Sequence, residues 1–135
     1  LLKENVGILS AGTGFGKTVV ASALIAERNV NTLILVQSHA LLEQWKKSIK
    51  QFLDITPGTI AAGKDKSTGI VDIAIVNSLI EKGSDELRHR SYKYGMLIVD
   101  ECSTEFCTLF YSEIFQFSLC TGAYGIKKSF NKSIL

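Results

Sequence analysis

Ser10 to Val20 read SAGTGFGKTVV, three glycines, a lysine and a threonine crowded into a turn between two apolar runs. What the turn holds is decided by its surroundings. Before it lies Val6 to Leu9 (VGIL), short and apolar like a buried strand. After it, Lys17 to Arg28 (KTVVASALIAER) has helical composition, with Val20, Leu24 and Ile25 on one side. A glycine-rich loop between a strand and a helix is the setting that gives a phosphate-binding motif its meaning.

The parts of the loop fit that chemistry. Gly12, Gly14 and Gly16 let the backbone take conformations that a β-carbon blocks, so successive N–H groups can turn inward onto phosphate oxygens. The first turn of the helix adds unpaired donors and the positive end of its dipole. Lys17 supplies a point charge for the β and γ phosphates, and the Thr18 hydroxyl can ligate magnesium. Ala11, Gly12, Thr13, Gly14, Phe15, Gly16, Lys17 and Thr18 together read as a triphosphate cradle. The usual pattern opens on glycine where Ala11 stands, and small size suffices there. An incidental turn with a solvated lysine is the blander reading, and the strand and helix on either side argue against it.

A triphosphate site that hydrolyses also needs carboxylates at the end of another strand. Gly95 to Val99 (GMLIV) runs directly into Asp100 and Glu101. Asp100 is placed to hold magnesium through water, and Glu101 to orient and deprotonate the attacking water. Two acids after a strand are by themselves often a helix N-terminal pair. Beside a phosphate loop they read as catalytic.

The rest of the chain alternates strand and helix. Thr32 to Val36 (TLILV) is a continuous β-rich run, as in a strand covered on both faces. From His39 to Leu53, the residues Leu41, Leu42, Trp45, Ile49, Phe52 and Leu53 form one helical stripe, which Pro57 and Gly58 are expected to end. Thr59 to Ala62 and Val71 to Val76 read as strands, Asn77 to Lys82 and Ser84 to Arg90 as short helices. This order predicts an α/β fold, a mainly parallel sheet with helices on both faces. Cys102 to Phe117 is aromatic-rich and could form a helix, and residues 103–135 depart in character from what precedes them.

Composition bounds the function. The 135 residues, 46% hydrophobic and 21% charged, fit a single domain, and a net charge of +2 is too weak to announce a nucleic-acid partner. No apolar stretch approaches the roughly 18 residues of a membrane span, and no signal-peptide pattern opens the sequence, so the expectation is a cytoplasmic protein without membrane partners. Cys102, Cys107 and Cys120 lack metal-binding spacing and lie far in sequence from His39 and His89, which favours reduced thiols over a zinc site.

The motifs in their order resemble superfamily 2 helicases, the DEAD/DEAH-like group. AGTGFGKT is similar to their motif I, which commonly begins with alanine, and VDEC to motif II. LILVQSHALLEQW resembles motif Ia, with Ser38, Leu41 and Gln44 in the places of its Thr, Leu and Gln, and IVNSL, Ile75 to Leu79, resembles the motif Ib region. The nearest flavour is the type III restriction enzyme helicase-subunit group, including repair-like helicases with a DECHH box. The resemblance covers about Leu2 to Cys102. It implies a RecA-like P-loop NTPase domain, ATP and Mg2+ as cofactors, and hydrolysis coupled to movement on DNA or RNA in a full protein.

It further implies that Ser38, His39, Asn77 and Ser78 contact the nucleic-acid backbone. Their chemistry allows this, since hydroxyl, imidazole and amide groups just after strands can meet phosphates. Helix capping is the competing use of Ser and Asn there. Trp45 and the leucines around it read as core rather than as a base-stacking platform.

The resemblance breaks after the acids. Ser103 stands where the family has His or Asp, and Lys127 and Lys128 stand where a Thr-Ala-Thr motif III is expected after Ala123 to Ile126. The family's second RecA-like domain, which brings the arginine finger, and its adenine-reading motif are not within these residues. The expectation is one partial helicase ATP-binding domain, residues 1–135, nearly inactive alone. Two other functions compete: a catalytically impaired binding remnant or regulatory module, favoured by Ser103, and a small-molecule kinase, disfavoured because Arg28, Arg88 and Arg90 occupy no lid-like segment.

Overall fold

The computed structural model describes residues 16–81 and 83–100. The strand expected at Val6–Leu9, the loop residues Ala11 to Phe15, Glu101, the three cysteines and every element assigned beyond them lie outside the described residues. Those from Thr18 to Asp100 belong to one compact unit, Thr18–Cys102.

Helix α1 (Lys17–Arg28) covers the segment expected of it. It stops because Asn29 turns left-handed (φ 49°), its N–H donating to the Ile25 carbonyl at 3.1 Å. Asparagine tolerates that conformation better than most residues. Strand β1 (Thr32–Val36) follows at once, and all five of its residues are fully buried. A strand with no exposed residue requires cover on both faces.

Helix α2 (His39–Leu53) begins at Ser38, whose hydroxyl accepts from the Leu41 N–H at 3.3 Å. It ends at Asp54, which takes the left-handed conformation (φ 54°) while its N–H caps Lys50 at 3.1 Å and its carboxylate pairs with the Lys50 ammonium. The stop therefore comes from Asp54, ahead of the expected Pro57 and Gly58. Leu42, Trp45 and Ile49 are buried as the stripe requires, whereas Phe52 is 45% exposed. At roughly 100° per residue, Phe52 sits at the margin of the stripe centred on Leu42, Ile49 and Leu53.

Strands β2 (Gly58–Ala61), β3 (Lys64–Lys66) and β4 (Val71–Ile75), helices α3 (Val76–Ile80) and α4 (Ser84–Ser91), and strand β5 (Met96–Val99) complete the unit. The sheet has the order β3-β2-β4-β1-β5. Its contacts are parallel throughout except for β2 with β3, an antiparallel hairpin that the sequence reading did not anticipate. Val76, expected to close a strand, instead starts α3. On one face Ile34, Val36, Val71, Ile73 and Ile75 pack with Leu42, Trp45 and Ile49 of α2 and Ile25 of α1. Strand alternation sends Leu33, Leu35, Ala74 and Ile60 to the other face, where they are equally buried. The result is an α/β sheet with helices on both faces.

Between the helical and strand segments, Asn31 sets β5 against β1. Its amide donates to the Lys93 carbonyl at 2.7 Å and accepts from the Gly95 N–H at 2.8 Å, and its own carbonyl accepts from Met96. Thr32 pairs with Met96 and Leu35 with Val99 as a consequence.

Candidate functional site

Because β2, β4, β1 and β5 run parallel, their carboxyl ends share one edge of the sheet. In open α/β sheets ligands gather at that edge. It carries the residues that follow the strands: Ala62 after β2, Val76 and Asn77 after β4, Ser38 and His39 after β1, and Asp100 after β5. Four of the expected site residues, Ser38, His39, Asn77 and Asp100, on three separate stretches of sequence, are thus brought to one edge of the sheet, with Ser78 beside them.

Asp100 extends the ladder one step past β5, its N–H donating to the Leu35 carbonyl at 3.0 Å. This fixes its backbone at the carboxyl end of β1. Its side chain is fixed as well. The Trp45 indole N–H donates to Oδ2 at 2.7 Å, across a separation of 55 residues.

Helix α1 ends immediately before β1, which puts its last turn at the amino edge of the sheet. Twelve residues carry its first turn about 18 Å away from there. Gly16 precedes that turn with φ 78°, a left-handed conformation that costs a side-chain-bearing residue about 1 kcal/mol or more. Glycine is therefore required at the last loop position. No acid occupies the first turn of α1, where Lys17 stands instead. A lysine at the positive end of a helix is unfavourable unless an anion joins it. Lys17 and Thr18 are both partly buried.

These residues fit magnesium held against a nucleotide. Carboxylate and hydroxyl oxygens are the hard donors that ion takes, and it is commonly bound through one or two protein groups plus phosphate. Among the described residues no three His, Cys, Asp or Glu side chains cluster as a closed metal cage, and such binding needs none.

The four residues expected to meet nucleic acid divide in two. The Ser38 hydroxyl caps α2, and the buried Ser78 hydroxyl accepts from the Ala62 N–H at 3.0 Å, so both have structural partners. His39 and Asn77 are exposed at the starts of α2 and α3. His39 also lines a cavity of about 270 Å³ with Lys46, Thr59, Lys64 and Lys66, between α2 and the β2–β3 hairpin. Glu43, which pairs with Lys46 at 3.0 Å, is the acid in its wall.

Two further networks escaped the sequence reading, the first of them at the amino ends of β4 and β5. Asp72, fully buried in β4, accepts from the Thr68 N–H (2.7 Å), the Thr68 hydroxyl (3.0 Å), the Gly69 N–H (2.8 Å) and the Tyr94 hydroxyl (2.6 Å). Burial, and then the hydrogen bond to Asp72, pushes the Tyr94 phenol well above its ordinary pKa. In the second network, Arg90 of α4 joins Glu86 to Asp65 of β3. The Ser67 hydroxyl holds the Asp65 carboxyl down at about 2, against the cost of burial and with help from the Ser67 N–H and Arg90. The signal for the first was visible: an acid inside the otherwise apolar VDIAIV can be buried only with several donors.

Comparison with known proteins agrees with the fold. The profile of the family described as "Type III restriction enzyme, res subunit" matches residues 2–119. Over 100 residues the chain is 39% identical to "DNA 3'-5' translocase XPB2" of Sulfurisphaera tokodaii, which covers 74% of this chain and 22% of that protein. Over 98 residues it is 30% identical to "Probable helicase D10" of Escherichia phage T5, covering 73% and 21%. Over 101 residues it is 30% identical to "DNA 3'-5' helicase XPB" of Mycobacterium tuberculosis, covering 70% and 18%. The chain spans about a fifth of the length of these curated relatives. With the profile running through most of its length and the parallel sheet beneath the matching motifs, the chain belongs to the type III restriction enzyme res-subunit family and is a RecA-like domain of the superfamily 2 helicases.

Proposed function

We propose that this chain binds ATP with magnesium and serves as the first half of a DNA-dependent ATPase motor, with hydrolysis coupled to translocation in the longer protein. The observation that carries the reading is the shared carboxyl edge, where Asp100 and the segments carrying Ser38, His39 and Asn77 follow parallel strands. An ATPase coupled to a polymer needs its metal-holding acid and its backbone contacts on one rigid frame. DNA is preferred over RNA because the Sulfurisphaera tokodaii translocase and the Mycobacterium tuberculosis helicase are both named for action on DNA.

In this reading the backbone of Ala11 to Gly16 surrounds the phosphates, Lys17 neutralises the β and γ oxygens, and Thr18 and Asp100 hold the magnesium. Bound there, magnesium would screen the charge of the triphosphate during transfer. Glu101 orients the attacking water and takes its proton. Residues 103–135 are a divergent continuation of the domain. Ser103, in place of the family's His or Asp, favours a second reading, in which nucleotide is bound but its turnover is poorly coupled.

The two readings part at Glu101. The chain is to be supplied with a complementary second RecA-like domain and DNA, and ATP hydrolysis compared with that of Glu101→Gln. A motor loses DNA-stimulated hydrolysis in the variant while keeping ATP binding. Equal rates in both proteins would establish the passive reading.

A further inference from the structure

Trp45 is 3% exposed in the stripe of α2, where Leu42 and Ile49 are purely aliphatic. An aliphatic or phenyl side chain would serve a stripe that only packs. An indole brings an N–H that must find an acceptor or cost about 1–3 kcal/mol when buried. The acceptor here is a carboxylate oxygen, Oδ2 of Asp100, at 2.7 Å. That length falls in the range of bonds strengthened by charge.

We infer that Trp45 is a positioning residue for Asp100, holding one carboxylate oxygen so that the other, Oδ1, is presented to the magnesium shell. The inference rests on the proposed role of Asp100 as the metal-holding acid. A carboxylate at a strand end is free to turn about two side-chain torsions, and fixing either oxygen fixes both. Among the described residues Oδ1 takes no hydrogen bond. The indole is a donor only, so its buried partner must be an acceptor, here this one carboxylate oxygen. Partners of this kind, one step removed from the metal, typically contribute tenfold or more to its affinity.

The test uses the full 135-residue chain and calorimetric binding of ATP, once with magnesium and once in excess EDTA. Trp45→Phe keeps the ring in the core and removes the N–H. The expected result is about tenfold weaker binding of ATP with magnesium and unchanged binding in EDTA. Loss of affinity in both conditions, or in neither, would overturn the positioning role. If the unmodified chain fails to bind ATP with magnesium, the proposed function itself falls, and the role of Trp45 with it. Trp45 is also the single tryptophan of the chain, so its fluorescence reads the same contact without any substitution. Adding magnesium to the ATP-bound protein should change its emission, and the change should vanish in Asp100→Asn. An unchanged emission in the unmodified protein would overturn the inference even if Trp45→Phe fails to fold.

Discussion

Single residues at the sheet edge do different work although the sequence makes them look alike. Ser78 and His39 both follow strands and both resemble backbone-contacting residues of the family, yet the Ser78 hydroxyl holds the Ala62 N–H while His39 is exposed. Ser78→Ala should therefore cost about 1 kcal/mol of stability in chemical denaturation, from the donor left unpaired. His39→Ala should leave stability within about 0.5 kcal/mol and lower DNA affinity at low salt. A more extreme case is Gly58. A β-carbon there would collide with the Asp72 carboxylate and lie 2.6 Å from the Lys66 carbonyl oxygen, so Gly58→Ala should destabilise by roughly 2 kcal/mol or more. A variant as stable as the original would show that the buried Asp72 network is not rigid.

At the scale of elements, the β2–β3 hairpin is the part that sequence reading could not supply. All three residues of β3 are exposed and charged, so they carry no hydrophobic alternation to announce a strand. The turn itself, Ala62 at φ 49° and Gly63 at φ 74°, puts alanine where hairpin turns of this hand usually have asparagine or aspartate. Elements made by burial were legible, as TLILV and the stripe of α2 were, because their periodicity records which face is covered. The Asp100 to Trp45 bond was not, since nothing local reports that two residues far apart in sequence will meet. The hairpin binds Asp65 as a carboxylate, chiefly through Ser67 and then Arg90, which makes its stability sensitive to acid. The Asp65 carboxyl is at about 2 in the folded chain against 3.8 for the free side chain. Its contribution is complete above about pH 4 and is lost as pH falls toward 2, and because the side chain is one-third exposed it amounts to about 1 kcal/mol at most. Asp65→Asn should be less stable than the original chain at pH 7, with the difference closing between pH 4 and pH 2. A difference constant across that range would mean that Asp65 acts through packing rather than charge.

For the molecule as a whole, the fold places residues following four parallel strands on one frame, but a frame with a single wall does little chemistry. Arginine fingers from a second domain typically contribute a thousandfold or more to nucleotide hydrolysis. The 135-residue chain alone should hydrolyse ATP near background and should separate no duplex, while still binding the nucleotide. Binding is thus the central property, and the loop from Ala11 to Thr18 is where it is decided. Calorimetry of ATP with magnesium on the original chain and on Lys17→Ala tests it most directly. Lys17→Ala removes the charge nearest the β and γ phosphates and leaves the glycine backbone in place, so a clear loss of affinity in a folded variant is predicted. Equal binding by the two folded proteins would contradict the assignment of the loop to phosphate.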